Sequence, residues 1–465
     1  MFAKARTKID EMSREKIMIF MKRLWLATLV TAFFGPLLAL DAYPGIFAFK
    51  ILICLHLALF CFFLAFRKMT LEINREIKPF YVFFLVWLAW AVFSLLWADN
   101  FPDGLRNLWY LFSGLSLIGF TVFYMHKEED LKAPLYILVA ILLIIMGVGI
   151  WEYKTGLHLK TAGLIPDAGS ISKAPRGVFK NQNDMATYLA LYLPFLFISA
   201  KYLLIRLKTL LPGLGLLACA GTGIFLIINS GSRANLVAVA LSLVAAVIIY
   251  LIQGKWKAFR TVLVMAAALA VLYPVLASTH PALAYQLKRQ FRIARHHLVS
   301  LEHVAGENSA RMILSRNAFQ ELHKHSLLGV GAGNAEEHMK VYRTETFQIL
   351  AMHNWWLEIL VNYGIFIFVL YVVFTGRLLV QLYPVAVRAG PGVLKVVAES
   401  ALVGLAGFPI AAVSSSSLAY SRVMWIFFGF ALCAINLYCS SNNAIQTTEE
   451  GENLESPVPV QSLSE

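Results

Sequence analysis

The sequence predicts an all-α, polytopic integral membrane protein of about twelve transmembrane helices with one large extracytoplasmic helical loop. Three observations carry this expectation. Hydrophobic residues make up 59% of the 465 and charged residues 14%, and mean hydropathy is +0.68, a balance foreign to a water-soluble core of this length. Apolar runs near the ~20 residues that a bilayer core demands recur along most of the chain. Those runs are solid blocks of Leu, Phe, Ile and Val without dyad alternation, so they read as helices and not as barrel strands.

In order, the expected spans are 24–40, 46–66, 80–97, 108–125, 134–151, 185–205, 209–229, 234–252, 261–278, 355–376, 393–412 and 422–439. They divide the chain into a basic arm (1–23), nine spans (24–278) with an outer loop at 152–184, an extracytoplasmic loop (279–353), three further spans (354–439) and a tail (440–465). The arm carries Lys4, Arg6, Lys8, Arg14, Lys16, Lys22 and Arg23, which marks it as cytoplasmic. Loop 41–45 has no positive charge, whereas 67–79, the turn at Lys127 and 253–260 are basic, the alternation that an even number of spans requires. Both termini are thereby expected in the cytoplasm. The two long loops break the charge rule on the outer side, where long segments translocate regardless of charge. The first apolar run reaches full span length without an Ala-x-Ala exit, so it reads as a signal anchor.

Cys54, Cys61, Cys219, Cys433 and Cys439 lie in or at the ends of spans, as small hydrophobes and not as a disulfide frame or metal site. The net charge of +13 comes mainly from the cytoplasmic arm and a basic outer loop. It favours membrane phospholipids and lipid phosphate over nucleic acid as partners. The tail after Ser440 is polar and acidic and is expected to be disordered.

Within the outer loop, Leu287, Phe291, Ala294 and Leu298 recur at helical spacing among Lys288, Arg289, Arg292, Arg295, His296 and His297. This is a basic amphipathic helix, either lying on anionic headgroups or acting as a lid over a lipid diphosphate. A second helix is expected from Ser309 to about His323, including Arg311. Then come Gly329-Val330-Gly331-Ala332-Gly333-Asn334 and a helix-like 334–343, either a plain turn or a nest of backbone N–H groups for phosphate. The loop closes on His353-Asn354-Trp355-Trp356-Leu357-Glu358, whose Trp pair reads as an interfacial anchor.

Two more polar strings sit at span edges: Arg176-Gly177-Val178-Phe179-Lys180-Asn181-Gln182-Asn183-Asp184 and Ser230-Gly231-Ser232-Arg233. The topology puts Arg176, Arg233 and His353 on one side of the membrane. Arginine stays charged and grips phosphate oxygens in pairs, so two at headgroup depth suit a diphosphate that remains attached to a lipid. Snorkelling of each to the interface is the plainer alternative.

These strings in this order, with Met185-Ala186 after the first and Gly364 after His353-Asn354, resemble the O-antigen ligase and O-antigen polymerase superfamily, over about residues 176–364. The resemblance implies an integral-membrane glycosyltransferase fold. It implies transfer of a glycan from undecaprenyl diphosphate, at the outer face of the cytoplasmic membrane, to a sugar hydroxyl. That hydroxyl belongs to a lipid A core or other terminal acceptor in a ligase, and to a second lipid-linked repeat unit in a polymerase. Arg176 and Arg233 carry over as diphosphate-binding catalytic residues and His353 as essential to transfer. Asn181, Asn183, Ser232, Arg311, Gly331, Gly333, Asn354 and Glu358 carry over as substrate-binding candidates.

The residue chemistry agrees with that implication. Bond cleavage leaves charge on the departing diphosphate, and arginines in a water-poor cleft can stabilise it without a metal or other cofactor. No Asp-x-Asp pair is present to hold Mg2+. His353 can take the acceptor proton as a general base, with Glu358 in reserve. The rival class is a secondary transporter or lipid-linked glycan flippase, for which Lys50, Lys201 and Glu399 inside spans are the best support. A structural scaffold is the third.

Overall fold

The computed structural model describes residues 14–40, 43–66, 69, 74–161, 173–254, 285, 288–289, 292–293, 295, 305–342, 344, 349–417 and 420–455. Among them, eleven helices are long and apolar enough to cross a membrane. They correspond to the expected spans except the one at 261–278, which lies outside the described residues. The chain is an all-α, multi-pass membrane protein. Its helices are α1 (Arg14–Phe34), α2 (Ala48–Ala65), α3 (Lys78–Phe93), α4 (Phe101–Tyr124), α5 (Lys132–Thr155), α6 (Gln182–Lys201), α7 (Leu210–Ser230) and α8 (Arg233–Ile252). After the outer segment follow α9 (Ala305–Lys324), α10 (Ala335–Met339), α11 (Trp355–Arg388), α12 (Val393–Ala411) and α13 (Arg422–Glu455). A two-stranded antiparallel hairpin, β1 (Ala39–Leu40) with β2 (Tyr43–Phe47), joins α1 to α2.

The burial pattern sorts the helices. Most of α6 and α12, and α13 from Val423 to Leu437, are buried, whereas α7 and α8 expose Leu211, Leu214, Leu241, Val244 and Ile248. In hydrocarbon an exposed apolar face carries no penalty, so the inner helices must be held by close packing and polar contacts. Helix α12 supplies the close packing through Gly404 and Gly407. A Cβ at those two would come within 2.7 Å of Leu191 O and 2.5 Å of Ala238 O, so the backbones of α6 and α8 approach as only glycine allows.

Three expectations are corrected. Helix α11 runs to Arg388, well past the expected end, but it is two helices joined at Gly364 (φ 78°, ψ −178°), a conformation that essentially only glycine adopts. Trp355 is no interfacial anchor: it is 1% exposed, and its indole Nε1 donates to the Tyr371 hydroxyl at 2.9 Å. The tail is helical as far as Glu455, because a helix already nucleated by the span extends at little cost. Of the basic amphipathic segment 287–298, residues 288–289, 292–293 and 295 are described and are helical; the rest lies outside the described residues.

Candidate functional site

Successive spans run in opposite directions. The starts of α4, α6, α8, α11 and α13 and the ends of α5, α7 and α12 therefore meet at one end of the bundle, where the polar strings lie. Asn181 caps α6, its Oδ1 accepting from Asp184 N at 2.9 Å. The Asp184 carboxylate accepts in turn from Asn181 Nδ2 (2.8 Å), Ser415 Oγ (3.2 Å), Ser416 N (2.8 Å) and Ser416 Oγ (2.9 Å). Its negative charge acts on His353, which is half-buried with a left-handed backbone (φ 47°).

A second branch joins α6, α8 and the α12–α13 loop. Buried Asn235 donates from Nδ2 to Ser232 Oγ (2.8 Å), Thr187 Oγ1 (3.1 Å) and the Asn183 carbonyl (3.5 Å), and Ser232 Oγ lies 2.9 Å from Ser414 Oγ. Ser232 starts α8, so Arg233 follows at its first turn, half-buried. Among the described residues Arg233 makes no hydrogen bond or ion pair. A guanidinium so placed is held by its backbone and open to an anion.

Arg176 is positioned from α5. Buried Glu152 accepts the backbone N–H groups of Arg176 (2.7 Å) and Gly177 (2.6 Å) on Oε2, and its Oε1 lies 3.0 Å from His158 Nδ1. A cavity of about 370 Å³ is lined by Tyr153, Lys154, Lys173, Ala174, Asn229 and Arg289. Three cations line it and two arginines flank it in sequence. On the other side of His353, buried Glu358 accepts from Ser417 Oγ at 2.5 Å. Tyr420 packs edge-on to Tyr110 at 4.6 Å and feels Glu358, Glu336 and Arg106. Glu336 is reached by solvent yet recessed among protein groups; burial raises its carboxyl, Lys180 and Arg106 oppose the rise, and Asp103 adds to it.

The remaining expected site residues do other work. Asn354 caps α11, accepting from Trp356 N (3.1 Å) and Leu357 N (3.4 Å). Four of the six N–H groups of the Gly329–Asn334 turn are used within the protein, so the turn works as packing and does not present a full nest to phosphate. Val330 N donates to Val361 O (2.8 Å), Gly331 N to Asn362 O (3.1 Å), Ala332 N to Ser94 Oγ (3.0 Å) and Asn334 N to Gly331 O (3.1 Å). Gly331 and Gly333 pack instead against Ala98 and Asn107. Arg311 is half-buried on α9, its carbonyl accepting from Ser315. Missed from the sequence were Asp184, Asn235, Glu152 and Ser414–417. The signal available for the last was four consecutive serines between two spans.

Of the residues suggesting transport, Lys201 Nζ bonds to Glu399 Oε2 at 2.5 Å and lies over the Tyr250 ring at 4.2 Å, with Gln253 Nε2 3.4 Å from Glu399 Oε1. Lys50 Nζ donates to Gly45 O at 2.8 Å. Lys201 thus ties α6 to α12, whereas the Lys50 bond is local to the start of α2.

Residues 216–372 match the family model described as O-antigen ligase. The chain is also 29% identical, over 365 residues, to the teichuronic acid biosynthesis protein TuaE of Bacillus subtilis (strain 168), an alignment covering 78% of this chain and 72% of that protein. The matched stretch takes in the Ser230–Arg233 corner, α9, the glycine turn and the His353-Asn354 pair, and two separate comparisons thus agree with the resemblance of the motifs: the chain is similar to the O-antigen ligase/polymerase family.

Proposed function

We propose that this glycosyltransferase takes its glycan from undecaprenyl diphosphate and transfers it to a sugar hydroxyl at the outer face of the cytoplasmic membrane, with both termini inside. The observation that carries the reading is the basic cavity lined by Lys154, Lys173 and Arg289, whose other lining residues Ala174 and Asn229 lie close in sequence to Arg176 and to the Ser232–Arg233 corner. The lipid diphosphate sits there, its oxygens met by Arg176 and Arg233, with Lys154, Lys173 and Arg289 drawing the anion in. His353 takes the proton of the acceptor hydroxyl, and the Asp184 charge stabilises the imidazolium that results. The acceptor oxygen then bonds to the anomeric carbon as the sugar–phosphate bond breaks, and the electron pair leaves on the diphosphate facing the arginines. No metal takes part in that step. Glu358, engaged by Ser417, orients the acceptor side.

The test is transfer by the purified protein with an undecaprenyl-diphosphate glycan, with and without EDTA. Arg233→Ala and Arg233→Lys are each expected to lower kcat by about 10²–10³-fold and His353→Ala by at least about 10²-fold, with thermal midpoints near the parent's. Unchanged turnover in both Arg233→Ala and His353→Ala would refute the assignment. A longer lipid-linked glycan as product means polymerase; a capped acceptor means ligase.

A further inference from the structure

Apart from the transfer site, α9 ends in a cluster that the proposed chemistry does not use. Glu321 and His325 are four residues apart, and His338 on α10 packs against them. Each brings one ligand atom to within 4.8 Å of the others. His338 Nδ1 lies 3.0 Å from Glu321 Oε2, close to the ~3.3 Å between neighbouring ligands of a tetrahedral ion with bonds of ~2.0–2.1 Å. His325 Nδ1 donates to the Glu321 carbonyl at 2.9 Å, which leaves Nε2 as the nitrogen with the lone pair. The two imidazoles stand edge-to-face, centroids 4.9 Å apart.

The surroundings are those of a ligand set. Glu321 Oε1 accepts from the Tyr342 hydroxyl (2.8 Å) and Lys324 Nζ (2.7 Å). His338 is 10% exposed. Its Nε2 lies 3.2 Å from Asp99 Oδ2 but off the N–H direction, so it makes no hydrogen bond as the ring stands. A ring turned on to an ion through Nδ1 would align Nε2–H with Asp99, the carboxylate–histidine–metal arrangement.

We propose that Glu321 Oε2, His325 Nε2 and His338 Nδ1 form a binding site for one divalent ion of the zinc type, with water in the fourth position. The ion pins α9 to α10 and, through Asp99, to the α3–α4 loop. Its role is structural, and it takes no part in sugar transfer. Lys324, 60% exposed, is the competing cation and swings away on binding.

The experiment is equilibrium uptake of Zn2+, and of Co2+ as a spectroscopic probe, by chelator-treated, untagged full-length protein in detergent. One equivalent per chain is expected, with the intense visible absorption of four-coordinate Co2+ and a higher thermal midpoint on metal addition. His325→Ala and His338→Ala abolish uptake, whereas His323→Ala, an exposed neighbour, leaves it intact. Should the first two fail to fold, Asp99→Asn on the exposed loop is expected to weaken binding about 10–100-fold and Lys324→Met to tighten it. No uptake by the parent, or uptake unchanged in His325→Ala and His338→Ala or in Asp99→Asn and Lys324→Met, overturns the proposal. The readout is binding, so its failure is distinct from any failure of the transfer assay.

Discussion

Asp184 has four polar hydrogens aimed at its two oxygens, from Asn181, Ser415 and Ser416. That explains why a carboxylate can sit at the mouth of a hydrophobic bundle, and why the α12–α13 loop is held against the start of α6. Glu336 is the contrasting case. Burial raises its carboxyl, so between the unfolded and folded pKa values the folded chain binds more protons than the unfolded one. Stability from this group is therefore present at low pH and falls as pH climbs from the unfolded value near ~4.3. Glu336→Gln should give a small rise in thermal midpoint at neutral pH that disappears in acid. Thermal scans at the two pH values check this, and an equal gain at both would refute it. Arg176, Arg233 and His353 were legible as candidates because charge at a span edge is unusual. Asp184 and Asn235 were not singled out, since what distinguishes them is a partner more than forty residues away.

At the scale of elements, the junction at Gly364 decides how the α9–α10 unit sits on the bundle. The 327–331 turn donates to Val361 and Asn362, and Ile365 N donates back to Leu327 O at 3.0 Å. The glycine turn thus plugs the gap where α11 breaks. A Cβ on Gly364 would lie 2.4 Å from Leu327 O. Gly364→Ala is expected to cost at least about 2–3 kcal/mol and to lower transfer as the His353 cap shifts. Denaturation of the purified variant measures the first, and a stability within error of the parent would show that the break is not needed. Helix existence was readable along the chain because hydropathy alone decides it. The break inside α11 was not, since only the neighbouring turn makes a left-handed glycine favourable there.

For the whole molecule, the pair Lys201–Glu399 separates transfer from transport. It joins α6 to α12 with one partner nearly fully buried. Either single change, Lys201→Met or Glu399→Leu, should cost about 3–5 kcal/mol by leaving a lone charge, whereas the double change should recover most of that. Glycan transfer should persist in the double variant; a carrier that cycles these charges would lose its activity. Thermal stability and turnover of the three variants give the answer.

An all-helical architecture, the eleven spans among the described residues and the clustering of basic and polar motifs at span ends were determined by the sequence itself, because a bilayer forces apolar runs of set length into helices. The tertiary structure alone decided which polar groups meet. It used the glycine turn for packing, turned Lys201 into a tie to Glu399, and assembled Asp184, His353 and the serine loop from three distant segments. Such contacts depend on which helix lies beside which. In a chain whose helices are apolar on nearly every face, that choice rests on small-residue contacts such as Gly404 and Gly407, which hydropathy does not register.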